Sequence, residues 1–413
     1  MRAVVWHGRR NVSVDTVDDP VIEDPTDAII RVTSSGLCGS DLHLYEVMGA
    51  FMTEGDVLGH EPMGIVEAVG SEVTSLAVGD RVVVPFNIAC GHCAMCADGL
   101  QSQCETTQVT AYGCGAALLG YTKLYGRVPG AQAELQRVPH ADYGPIKVPG
   151  GGPDDRYLFL SDVLPTAWQG VEYADVAPGG TLVVLGLGPI GDMCCRIAQH
   201  RGIRVLGIDL VDDRLRRQQL RGVPTLDLRA FDDDQQIVEA VCGVLGASGP
   251  DAVIDAVGME AHGSGGAKIA QSMAALLPGP IAERLMRRAG VDRLAALHLA
   301  IRLVRRGGTI SVLGVYGGMT DPMPMMTMFD KQIQLRMGQA NVRRWVDDLM
   351  PLVTDGDPLG VDGFATHHLS LEDAPDAYAD FQHKRDGMVK AVFNPATPTA
   401  AAAGHSASRA SAS

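Results

Sequence analysis

Cys90-x-x-Cys93-x-x-Cys96, followed after seven residues by Cys104, places four thiols on a stretch short enough to wrap one ion. Four soft sulfur ligands with no open position describe a structural zinc site. A second set is dispersed. Cys38 lies in GLCGSDLH and His60-Glu61 in GHEPMG, so one thiolate and one imidazole supply two of the three protein ligands of a catalytic zinc, which keeps its fourth position for water or substrate. On residue logic alone the third is Glu61 or Asp162, the latter in FLSDVLPTAW. A third constellation is TLVVLGLGPIGD, in which a β-branched run opens into Gly186-x-Gly188-x-x-Gly191. Gly186 permits a tight turn, Gly188 lets backbone N–H groups approach a pyrophosphate, and Gly191 lets a helix beginning at Pro189 and Ile190 pack closely on the strand. Three glycines at this spacing also serve ordinary turns. The next apolar run, RVLGID, ends in Asp209, 18 residues after Gly191, where a carboxylate accepts ribose hydroxyls and repels a 2′-phosphate. That combination points to NAD rather than NADP, with Arg214 one helical turn beyond.

The elements that must carry these residues follow from periodicity. From Met1 to about Pro85, the runs AVVWH, NVSVDTV, AIIRVTSSG, GIVEAVG and DRVVVPF are β-branched and bounded by Gly, Pro and Asp, which predicts an irregular, mostly antiparallel, barrel-like domain. Residues 87–113 form a Cys- and Gly-rich lobe. From about Leu160 strand patterns alternate with helical ones (LVVLG, RVLGID, DAVIDAVG, TISVLGVYG), predicting a doubly wound parallel sheet with right-handed crossovers. Ligands gather at the carboxyl ends of such strands, so the loops holding Val257, Gly314 and Val315 are expected along the nicotinamide. Residues 267–306 are too long for one crossover helix and predict an inserted helix or two. VRRWVDDLMPLVTDG reads as a helix, LSLEDAPDAYADF as a helix capped near Ser370, and MVKAVFNP as a last strand returning to the first domain. The expected boundaries are 1–158 and 336–395 for a catalytic domain, 159–335 for a nucleotide-binding domain, and 396–413 for a disordered tail.

Composition excludes several classes. A formal charge of -15 disfavours nucleic acid and anionic membranes as partners. MRAVVWHGRR has no signal-peptide core ahead of its charges, and a cytoplasmic location is expected. His92 is expected to be exposed, and Cys114, Cys194, Cys195 and Cys242 to be packing residues rather than ligands.

Together, Cys38-Gly-Ser40-Asp41-x-His43, Gly59-His60-Glu61-x-x-Gly64, the four-cysteine lobe and Gly186-x-Gly188-x-x-Gly191 with Asp209 resemble the zinc-containing medium-chain alcohol dehydrogenases over Met1 to about Pro395. GYTKLYGRVPG, LSDVLPTAW and the insertion near GMEAHG look most like their glutathione-independent formaldehyde dehydrogenase members. The resemblance implies a GroES-like catalytic domain beside a Rossmann domain, NAD and two zinc ions per chain, and an alcohol or hydrated aldehyde as substrate. It implies a catalytic zinc held by Cys38, His60 and Asp162, with Glu61 as an occasional or neighbouring partner. It further implies that Asp41 orients His60, that Ser40 and His43 relay a proton, and that the chain forms a homo-oligomer, a tetramer in preference to a dimer. A polyol or threonine dehydrogenase shares nearly all these motifs and differs only in turnover. A non-enzymatic zinc protein would have reason to keep the lobe but not Cys38, Ser40, His43 and His60 together.

Overall fold

The computed structural model describes residues 1–258, 294–316 and 323–396, and the chain divides into two compact units. One comprises Met1–Asp162, Asn341–Val353 and the chain from Gly360; the other Val163–Ala340 and Thr354–Leu359. The first boundary thus follows Asp162 rather than residue 158.

The first unit begins with β1 (Arg2–Gly8), which pairs antiparallel with β2 (Asn11–Thr16). β3 (Ala28–Leu37) follows and leads directly into helix α1 (Gly39–Glu46). β4 (Asp56–Val57) pairs with β1, and β5 (Glu61–Val69), β6 (Arg81–Val83), β7 (Leu135–Val138) and β8 (Ile146–Lys147) complete the amino-terminal part. β3 pairs antiparallel with β5, with register irregularities near Ile29 and Val32, and with β7. Ile30, Val32, Val66, Val82 and Val84 form the core between these strands. The inward alternation of β-branched side chains along each strand accounts for the pairing.

The second unit holds β9 (Thr181–Leu185), β10 (Arg204–Asp209), β11 (Thr225–Asp227), β12 (Ala252–Asp255), β13 (Thr309–Val312) and β14 (Gln334–Met337). All pair in parallel, in the order β11-β10-β9-β12-β13-β14. The strand order reverses between β9 and β12, which makes their carboxyl ends the switch point where such sheets bind ligands. Helices Pro189–His200, Asp212–Gln219, Asp234–Leu245 and Ala295–Leu303 accompany the strands. Of the expected insertion, 267–293 lies outside the described residues and Ala295–Leu303 is a helix with a buried face.

The chain then returns to the first unit through a helix at Val342–Thr354, β15 (His367–Leu369), a helix at Ala374–His383 and β16 (Ala391–Phe393). β16 pairs antiparallel with the end of β3, Ala391 opposite Leu37. That pairing brings Lys390 beside the residues around Cys38. Ser370 stands before the Ala374 helix as expected, its backbone N–H donating to Asp373 at 2.9 Å. Except for Ala396, the expected tail lies outside the described residues. Among the described residues no helix is long and apolar enough to cross a membrane.

Candidate metal centres and nucleotide cradle

Among the described residues, two groups bring Cys, His or carboxylate ligand atoms within 4.8 Å of one another: Cys90, Cys93, Cys96 and Cys104, and Cys38, His60, Glu61 and Asp162. Zn–S bonds of ~2.3 Å and Zn–N or Zn–O bonds of ~2.0–2.2 Å in a tetrahedron give ligand separations of roughly 3.3–3.8 Å.

In the lobe, Cys93 Sγ lies 3.9 Å from Cys104 Sγ, and none of the four cysteines is in a disulfide. Backbone N–H groups of Cys90, Cys93 and Glu105 donate to Cys104, Cys90 and Cys93 sulfurs, each at 3.4 Å. Burial opposes ionisation of Cys104, but the Cys90 N–H and then the Thr107 hydroxyl and N–H outweigh it and draw its thiol down to about 6. Cys93 is drawn down as well, whereas burial pushes the Cys96 thiol up; four soft sulfurs within reach of one point fit zinc, whose charge would favour all four thiolates. His92 is exposed, its Nδ1 3.0 Å from the Cys90 carbonyl. Cys194 and Cys195 are buried in the Pro189 helix, and Cys114 and Cys242 are half-buried away from both groups.

The dispersed group is assembled by three turns of chain. Cys38 lies between β3 and α1, His60 immediately precedes β5 and Glu61 opens it, and Asp162 ends a 3-10 turn at Phe159–Ser161. Gly59 enters the second turn at φ +99, and a Cβ there would meet Gln132 at 2.5 Å, so the approach to His60 is open only to glycine. Asp162 Oδ2 lies 3.4 Å from Cys38 Sγ and 3.6 Å from His60 Nε2, within the separations a zinc ion sets. Asp41 does two jobs. Its Oδ2 accepts from the Cys38 backbone N–H at 2.9 Å, fastening the start of α1, and its Oδ1 lies 3.1 Å from His60 Nδ1. A carboxylate there keeps the proton on Nδ1 and leaves Nε2 as the ligand atom facing Asp162.

Glu61 is fully buried; a carboxylate oxygen lies within 4.8 Å of the trio's ligand atoms, but its carboxylate is engaged by a lysine. Lys390 Nζ, equally buried, donates to its two carboxylate oxygens at 2.7 and 2.5 Å and to the Leu37 carbonyl at 3.1 Å. Gly36 makes the room: a Cβ there would meet Glu61 Oε2 at 2.1 Å. Burial works against the Lys390 ammonium, but the Glu61 charge outweighs it and raises its pKa; burial holds the Glu61 carboxyl above its ordinary value, against the pull of Lys390. Burial first, then the negative charges of Asp162 and Glu61, push the Cys38 thiol up to about 11. Buried acids that resist ionisation, first through desolvation and then through one another's charge, are what a divalent cation would relieve.

Ser40 and His43 lie one turn apart on α1, Ser40 half-buried and His43 only 8% exposed. Phe86 and Tyr121 meet the His60 ring edge-on, with centroids at 6.3 and 6.4 Å.

In the second unit, Gly186 has φ +82 and a Cβ on Gly191 would meet the Gly186 carbonyl oxygen at 1.8 Å. Gly188 precedes the Pro189 helix, whose first turn, including half-buried Ile190, receives no side-chain cap. Its free donors fit a pyrophosphate. Asp209 ends β10; its Oδ2 accepts from Leu187 N–H at 2.6 Å and its Oδ1 from Leu210 and Val211 at 2.7 and 3.0 Å. Arg214 Nη1 lies 3.7 Å from that carboxylate and would lie 3.6 Å from a Cβ on Gly188. Val257 is half-buried against Gly186, whose Cβ would meet its Cγ2 at 2.6 Å; Gly314 is half-buried and Val315 is 41% exposed.

The alcohol dehydrogenase GroES-like domain matches residues 24–149. Over 96% of its length the chain is 38% identical to all of an uncharacterized zinc-type alcohol dehydrogenase-like protein, AdhB, of Bacillus subtilis (strain 168). The chain belongs to the zinc-type alcohol dehydrogenases. Its similarity to the glutathione-independent formaldehyde dehydrogenase of Pseudomonas aeruginosa is 31% identity, covering 92% of this chain and 94% of that protein. The alcohol dehydrogenase TADH from Thermus sp. ATN1 superposes with a TM-score of 0.77 at 33% identity, covering 95% of this chain and 99% of that one. A GroES-like unit with a mixed sheet and a Rossmann unit with a parallel sheet are therefore the architecture of this dehydrogenase, an oxidoreductase.

Lys390 lay outside the sequence expectations. Nothing in MVKAVFNP separates a buried lysine from a surface one; only the antiparallel pairing of β16 with β3 does so.

Proposed function

We propose that this dehydrogenase oxidises a primary alcohol or a hydrated aldehyde of the formaldehyde type with NAD. Cys38, His60 and Asp162 hold a catalytic zinc, and the four lobe cysteines a structural one. The observation that carries this reading is the disposition of charge: Cys38 and Asp162 alone neutralise Zn²⁺, while Glu61 is committed to Lys390. When bound, zinc supplies a Lewis acid for the substrate oxygen and NAD supplies the hydride acceptor. Asp41 holds His60 in the tautomer that presents Nε2. Ser40 takes the proton from the substrate hydroxyl, and His43, one turn along α1, passes it outward. Gly186, Gly188 and Gly191 with Pro189 and Ile190 cradle the pyrophosphate, Arg214 adds positive charge beside it, Asp209 selects ribose without a 2′-phosphate, and Val257, Gly314 and Val315 flank the nicotinamide.

The first unit serves as the catalytic domain and the second as the cofactor domain. A homo-oligomer, a tetramer in preference to a dimer, is part of the same reading. It is supported by β14, an edge strand exposing Leu335 and Met337, and the preceding Met325–Lys331 helix, which exposes Met325, Met326 and Phe329.

The test is NADH formation by the purified protein with formaldehyde and no glutathione, beside primary alcohols and polyols, with NADP in parallel. Turnover of formaldehyde with NAD is expected. Turnover of polyols alone would keep the zinc chemistry and overturn the substrate, and a preference for NADP would overturn the role of Asp209.

A further inference from the structure

Asp255 is fully buried at the end of β12, in register with Leu185 at the end of β9 and Val312 at the end of β13. It therefore stands in the row where three neighbouring strands stop, at the switch point of the sheet. Its Oδ1 accepts from the backbone N–H groups of Val257 and Gly258 at 2.9 and 3.2 Å. Its Oδ2 accepts from the Tyr316 hydroxyl at 2.6 Å. Its carbonyl accepts from Leu313 and Gly314 N–H, both at 2.9 Å. One residue thus binds the loop after β12 and the loop after β13.

The two loops also touch through their backbones. A Cβ on Gly258 would meet Val315 N at 2.6 Å, and one on Gly314 would meet Gly258 N at 2.2 Å. Val257 in turn rests on Gly186, the first glycine of the phosphate cradle. A carboxylate is costly to bury and is retained where its oxygens are well bonded; here both are, and every bond but one goes to a loop backbone.

We propose that Asp255 and Tyr316 form a clasp that sets the spacing between the Gly186 turn and the loops carrying Val257, Gly314 and Val315. They are positioning residues for the nicotinamide half of the cofactor. The proposal rests on the NAD reading above. The cradle at Gly186 and Asp209 does not depend on the phenol, so opening the clasp weakens binding of the nicotinamide end and spares the ADP-ribose end.

The experiment compares NADH and ADP-ribose binding to the purified full chain and to Tyr316→Phe. NADH is followed by its fluorescence and ADP-ribose by competition. A hydrogen bond to a charged acceptor corresponds to roughly a tenfold change. The expected result is an NADH dissociation constant raised about tenfold, ADP-ribose affinity and zinc content unchanged, and a partial return toward wild-type NADH affinity in Tyr316→His, which restores a donor. Should Tyr316→Phe lose its fold, Asp255→Asn carries the same comparison, since it keeps an acceptor for Val257 and Gly258 but loses the charge that the phenol meets. Equal weakening of both ligands would make the clasp a purely structural tie and overturn the proposal, as would equal, unchanged binding. A wild-type protein that bound neither ligand would overturn the cofactor reading and the clasp together.

Discussion

The lobe and the dispersed group bring metal-ligand side chains together by opposite routes. The lobe takes four sulfurs from one span, Cys90 to Cys104, and backbone N–H groups of that span hold the sulfurs in place. The dispersed group needs Cys38, His60 and Asp162 from three parts of the chain, and Lys390 from a fourth. Four thiolates saturate an ion and shut it off; one thiolate, one imidazole and one carboxylate neutralise it and leave a position free. A cluster whose neighbours are local builds structure, whereas one whose neighbours are distant lets the fold decide which acids are ligands and which are spent on a counter-ion.

The contrast breaks first at the lobe. Cys96→Ser should cost about 4 kcal/mol or more of stability, because metal binding there is folding free energy. Its zinc should be lost and assembly impaired, while protein that remains folded keeps its turnover per catalytic zinc. Melting temperature, sedimentation and metal content together check this, and a stable, assembled Cys96→Ser protein would remove the structural assignment.

The next effect belongs to Lys390. Lys390→Met leaves the Glu61 carboxylate buried without its partner, a change that costs about 3 to 4 kcal/mol in a denaturant titration. Adding Glu61→Gln should recover most of that loss. If the single variant is as stable as wild type, the ion pair is not what fixes Glu61.

Asp41→Asn is smaller and sharper. The amide can still accept from Cys38 N–H but binds the His60 imidazole without charge, so zinc affinity of the dispersed site should fall by roughly 10- to 100-fold. Competition with a chelator reads this directly, and the lobe zinc, which has no such orienting carboxylate, should be released as in wild type.

Much of this was legible from residue types and spacing where the physics is local. The glycine cradle, the lobe and the strand runs follow from short-range geometry, and both sheets form where the β-branched runs lie. Lys390, Gly36 and Asp255 were not legible. A lysine in MVKAVFNP, a glycine in SSGLC and an aspartate in DAVID have no local pattern that marks them; β16 must pair with β3, and β12 must lie between β9 and β13, before their partners exist. For the same reason residue logic left Glu61 and Asp162 as equal candidates. The ammonium that engages Glu61 is 329 positions from it in the chain.

Asp162, not Glu61, is expected to complete the catalytic ligand set. The most direct measurement is zinc content per chain in wild type, Asp162→Ala and Glu61→Gln, with NADH formation recorded on the same samples. Asp162→Ala should lose about one zinc per chain, keep the lobe ion and lose turnover by roughly a thousandfold or more, consistent with removing several kcal/mol of charge stabilisation. Glu61→Gln should keep both ions. Full metal and full activity in Asp162→Ala, with one ion lost in Glu61→Gln, would contradict the account and move the ligand to Glu61.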